Sequence, residues 1–137
     1  MMNNSHNSTD HNSGAGKLLT AALLNNFFDA GWAIQVLVGD MDMPQFLSSR
    51  LARPEMEKHL QVMVDSAKAL PEPVCELMPK VDWASWAELD GAIGSPLPEQ
   101  QTRVWEAIDQ WLPPTGHYLN QYRARMSELF TFRLDAL

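Results

Sequence analysis

Positive charge is scarce in this sequence. Ten Lys and Arg stand against 17 Asp and Glu, a formal net charge of −7, so the chain as a whole repels a phosphate backbone and makes a nucleic-acid partner doubtful. Cysteine is scarcer still. Cys75 is alone, which excludes an internal disulfide and a thiol cluster for metal and points to a reducing compartment, with Cys75 read as a small buried apolar residue. No apolar run reaches the roughly 18 residues of a membrane span, and no basic segment leads into a short apolar stretch, so neither a spanning helix nor a signal peptide is expected. The expected location is the cytoplasm, with no membrane partner. Strand-like alternation of apolar and polar residues is missing throughout. A Gly-rich phosphate loop, an HExxH pair and a nucleophile elbow are missing too, so no cofactor and no metal site is expected.

What the chain has is helical periodicity. Its 137 residues fit one domain, long enough to bury a core. Residues 1–16 are rich in Asn, Ser, Gly and His and read as a disordered polar tail, in which His6 and His11 have no geometry to hold a metal. Residues 17–137 read as a single helical domain. A first helix spans about Lys17 to Val38, with Leu19, Leu23, Phe27, Ala30, Ile34 and Leu37 along one face and Leu24, Phe28 and Val38 widening it. Gly39 stops it, and a short piece with Pro44 in its first turn turns Phe46 and Leu47 inward. A second long helix runs from Arg53 and Pro54 to Pro71 on Met56, Leu60, Met63, Ala67 and Leu70. One or two turns follow between prolines, placing Val74, Leu77 and Met78 in the core. Asp82 caps a segment carrying Trp83, Trp86, Ala87 and Leu89. After the breaks at Gly91, Gly94, Ser95, Pro96 and Pro98, a helix over about Glu99 to Leu112 carries Val104, Trp105, Ile108 and Trp111. Pro113-Pro114 predicts a further break, and a last helix runs from Thr115 to Leu137. The fold class is all-α, an up-and-down bundle of four to five main helices.

Several groups of residues could carry chemistry. Arg53 and His59 have the composition of a metal-independent ribonuclease site, but six positions is about 600° of helical rotation, so they point to different faces and read as solvated charges. Asp82, Glu88 and Asp90 are acidic neighbours, the first better explained as a cap and the second as surface. His117, Arg123 and Arg125 form the most basic local cluster, a weak phosphate patch on a helix that also carries Glu128 and Asp135. Trp83, Trp86, Trp105 and Trp111 crowd within thirty positions. Core packing accounts for most of them, yet indoles favour interfaces, and a homodimer through these rings is the expectation.

The run MDMPQFLSSRLARPEMEKHLQVMVDSAKALPEPVCELMPKVDWASWAELDGAIG, followed by VWEAIDQWLP, resembles the HepT-like branch of the HEPN superfamily. The resemblance rests on the Phe-Leu segment, the Ala67 to Pro71 stop, Pro79, the Trp83 to Trp86 segment, Trp105 and Leu112-Pro113, in order from about Phe27 to Pro113. It implies a dimeric helical bundle and, in active members, a toxin ribonuclease paired with a nucleotidyltransferase-like antitoxin. It also implies an Arg-x4-His-x-Tyr motif, whose three positions fall here on Asp90, Ser95 and Leu97. A carboxylate there repels an RNA phosphate, serine does not replace histidine as an acid or base, and leucine lacks the hydroxyl that the antitoxin modifies. No catalytic residue carries over. The leading expectation is a catalytically inactive HepT-like protein retained as a dimeric interaction or regulatory module, possible enzyme activity being confined to the alternative of an RNA endonuclease with a site relocated to His117 and Arg123 or Arg125. The other alternative is an unrelated helical adaptor that binds a protein through its Trp-rich face.

Overall fold

The longest helix supplies the axis of the molecule. In a computed structural model that describes residues 14–131, α1 spans Gly14–Val38 and lies along α3, Ala52–Ala69, in the most extensive helix pairing of the chain. Phe27, Leu24 and Ile34 from α1 and Met56, Leu60 and Met63 from α3 form the centre of the core. Between them α2, Met43–Ser48, begins with a reciprocal cap: Asp42 accepts the Gln45 amide, and the Gln45 side chain accepts the Asp42 amide, each at 2.9 Å. This fixes the entry of Phe46, which is fully buried.

Short α4, Glu72–Glu76, and α5, Trp83–Glu88, lead to α6, Pro98–Glu106. Asp82 caps α5 as its position predicts, accepting the Ser85 backbone amide at 3.1 Å and the Ser85 hydroxyl at 2.7 Å. Among the described residues there is no strand. The chain is all-α.

Three expectations change. The core stripe of α1 holds from Phe27 to Ile34, but further towards the N-terminus Leu19 is 53% exposed while Thr20, Ala21 and Leu24 turn inward. The cause is α8, Ser127–Phe130, which packs on α1 and accepts the Asn25 side-chain amide on the Phe130 carbonyl at 2.7 Å. Leu77, expected inside, is 47% exposed. The predicted break at Pro113-Pro114 does not occur. A π-helical turn, Ala107–Trp111, in which Leu112 N–H reaches back five residues to the Ala107 carbonyl, joins α6 to α7, Leu112–Arg125. The wider turn takes up the register so that the prolines are carried in the helix at the start of α7. The last helix breaks instead at Met126; its expected extension through Leu134 and Asp135 lies outside the described residues, as do His6 and His11.

By length and composition α1 is also apolar enough to cross a membrane, contrary to the expectation from simple runs, a test that the core helix of a soluble protein passes as well.

Candidate functional site

The three motif positions are held in a loop rather than on a helix. After α5 the chain passes through successive turns with Gly91 at φ 91° and Gly94 at φ 80°, backbone that side chains with a Cβ rarely adopt. Asp90 stands at the start of these turns, and its carboxylate is tied to α3: one oxygen meets the Lys68 ammonium and the other accepts from Gln61 at 3.3 Å. The hydrogen bond from Lys68 holds the Asp90 carboxyl below its ordinary range, Gln61 adding to the effect, while Asp90 raises the Lys68 ammonium above its own. Both side chains face solvent, so the pair organises the loop more than it stabilises the fold.

Ser95 is occupied locally, its hydroxyl accepting the Leu97 amide at 3.1 Å and its carbonyl accepting the Gln101 side chain at 3.3 Å. Leu97 precedes α6 and is 55% exposed. The site thus offers an acidic group already engaged by a cation, a hydroxyl with no base beside it among the contacts it makes, and an alkyl chain. Nothing in that set moves a proton near neutral pH.

The residues of the basic cluster each have a neighbour of their own. The Arg123 guanidinium lies 4.9 Å from the centre of the Phe28 ring on α1, whereas that of Arg125 lies 5.9 Å from the Tyr122 ring. Exposed His117 neighbours Gln121 at 3.4 Å. The two guanidinium groups are directed to different aromatic rings. Arg53 also differs from the solvated charge expected. Its side chain bridges Glu57 and the Leu47 carbonyl, both at 3.1 Å, and covers the Phe46 ring, tying α2 to α3.

The clustered tryptophans belong to the core of the monomer, as core packing predicts for most of them. Trp83 and Trp86 are buried, and their rings pack on Phe27 at centroid distances of 5.0 and 5.8 Å. Their indole N–H groups are also used inside, Trp83 donating to the Met78 carbonyl at 3.1 Å and Trp86 to the Thr115 hydroxyl at 3.2 Å. Both indoles are thus engaged within the monomer. Trp105 packs at a tilt on Phe46 and Trp111 edge-on against Trp86, both partly buried against the core. Cys75 is half-buried rather than fully buried, and its thiol is pushed up, chiefly by burial.

The exposed indole is Trp32, 66% accessible on the outside of α1. It borders a groove of about 310 Å³ between α1 and α7, together with Phe28, Gln35, Leu112, His117 and Asn120. Sequence periodicity passed over Trp32 because it stands apart from the other four. Its signal was its place midway between Ala30 and Ile34, about 200° of helical rotation from that predicted core stripe. Among the described residues no cluster of His, Cys, Asp or Glu has the arrangement of a metal site. Comparison of the chain with protein-family models, with curated proteins and with solved structures gives no match.

Proposed function

We propose that this chain is a catalytically inactive HepT-like helical protein of the cytoplasm, an up-and-down bundle that acts as a homodimeric interaction or regulatory module. The observation that carries the reading is Asp90. Where the resemblance puts a phosphate-binding arginine, the chain has a carboxylate already bound to Lys68, and the companion positions Ser95 and Leu97 bring neither an acid–base group nor a phenol. A chain relieved of catalysis can keep the surfaces by which it pairs with itself and with a nucleotidyltransferase-like partner.

Incubation of purified protein with total RNA tests the proposal. The parent chain leaves the RNA intact, and so does His117→Ala. Cleavage by the parent that disappears in His117→Ala overturns the inactive reading in favour of the relocated site. The variant Asp90→Arg, Ser95→His, Leu97→Tyr gives the comparison, since activity gained there places the lost chemistry at this loop.

A further inference from the structure

The buried line of α1 ends on a polar side chain. Ile34, Phe27 and Leu24 are turned to the core, and one further step of four towards the N-terminus reaches Thr20, 3% exposed. A hydroxyl carries one donor and two acceptor lone pairs. Among the described residues the Thr20 Oγ1 meets no hydrogen-bond partner, whereas the other buried threonine hydroxyl, that of Thr115, takes the Trp86 N–H. Leaving a buried polar atom unpaired costs more than a made hydrogen bond contributes, and folded chains keep few such atoms.

Thr20 lines a cavity of about 20 Å³ between α1 and α8, together with Lys17, Glu128 and Leu129. One water needs about 10–15 Å³ of such space and two to four polar neighbours. The cavity therefore takes one water and nothing larger. Its charges decide against other occupants of that size. A cation is opposed by Lys17 and an anion by Glu128, whereas a neutral molecule that both donates and accepts is matched by the carboxylate, the ammonium and the hydroxyl together.

We propose that this cavity is a binding site for a single water molecule that joins the Thr20 hydroxyl of α1 to the Glu128 carboxylate of α8. The water accepts the hydroxyl proton and donates to the carboxylate, with Lys17 as a second donor beside it. The bridge gives α8 a clasp. One helical turn does not hold itself, and α8 has only four residues. Its C-terminal end is fixed by Phe130, which is buried and whose carbonyl accepts the Asn25 side-chain amide at 2.7 Å. The water fixes the other end, at Glu128, and explains a threonine where the apolar register asks for an aliphatic side chain.

A crystal structure of the full chain at a resolution that orders water, together with amide hydrogen exchange, is the test, with folding of each variant checked by circular dichroism. A water is expected within hydrogen-bond distance of Thr20 Oγ1 and of a Glu128 carboxylate oxygen. Exchange is read at Leu129, whose N–H bonds the Met126 carbonyl at 3.0 Å. Thr20→Val keeps the shape and removes the hydroxyl, and it speeds that exchange about fivefold, the equivalent of one net hydrogen bond. Glu128→Ala does the same, and the double variant adds little to either, since each removes the same bridge. A Thr20 hydroxyl bonded directly to Glu128, or to any other group of the chain, overturns the proposal. Exchange slowed or unchanged in Thr20→Val overturns it as well, being the mark of an unpaired hydroxyl, and so do effects that multiply in the double variant.

Discussion

Substituting Trp86 by phenylalanine tests whether the tryptophans of α5 stabilise the monomer or serve a partner. Trp86 is 1% exposed. Its ring makes edge-on contacts with Phe27 and Trp111 at 5.8 and 5.6 Å, and its N–H donates to Thr115, itself 6% exposed, at 3.2 Å. Phenylalanine keeps an aromatic ring between the two neighbours but removes roughly 40 Å³ of side chain, which at about 24 cal/mol per Å³ of cavity costs about 1 kcal/mol. It also leaves the buried Thr115 hydroxyl without its donor, a further loss of about 1 kcal/mol. The expected destabilisation is therefore about 2 kcal/mol, read as a lowered urea midpoint with an unchanged slope. Thr115→Val alone leaves the indole N–H unpaired and costs about 1 kcal/mol, but in the double variant neither group is stranded, so the two losses add to less than their sum by about 1 kcal/mol. Sedimentation is unchanged in any of the three. A stability loss under about 0.5 kcal/mol for Trp86→Phe, within the range of surface substitutions, refutes the burial argument, and a shift in sedimentation without a shift in the urea midpoint restores the ring to an interface.

Two further substitutions probe the packing and the loop. Gly31 is where α1 approaches α7: a Cβ there meets Leu112 Cδ1 at 3.1 Å and Met63 Cε at 3.5 Å, so Gly31→Val overpacks the contact and lowers stability by about 2 kcal/mol in urea unfolding, its gain in helix propensity notwithstanding. For Asp90, a carboxyl lowered in the folded state contributes stability above its ordinary range that is lost as pH falls through its folded value. Because both partners are exposed, the clean readout is titration: Lys68→Ala moves the Asp90 side-chain carboxyl signal in NMR up towards the usual aspartate range, and an unmoved midpoint refutes the pairing.

Much of the architecture was legible because the helices of this chain are bounded by local chemistry. Asp82 begins a helix where its side chain predicts, the helix expected from about Glu99 begins one residue earlier at Pro98, and the Phe46 segment begins under Asp42. The α3 stripe of Met56, Leu60, Met63, Ala67 and Leu70 is buried throughout, since one face of that helix is polar and periodicity can separate the two. Pro113-Pro114 misled because its local rule is correct but incomplete. Two missing N–H groups end an α-helical ladder unless the register slips, and the slip at Ala107–Trp111 leaves no mark in the identity of those residues.

The candidate site was legible only as chemistry, since the residue types at Asp90, Ser95 and Leu97 are given by the sequence but their partners are not. Lys68 and Gln61 are 22 and 29 positions from Asp90, and only the packing of α5 on α3 brings them within reach. The same limit explains the tryptophans. Trp83 and Trp86 sit three apart on a six-residue helix, so a helix with one buried face takes both rings inward together, and their proximity in sequence reports shared burial rather than a shared surface. Trp32 is the opposite case. On α1 nearly every position is apolar, the contrast between faces is weak, and which side turns inward is decided by where α3, α7 and α8 pack rather than by the helix itself. An apolar pattern therefore identifies the helix but not its inside, and the indole left outside is a property of the tertiary arrangement.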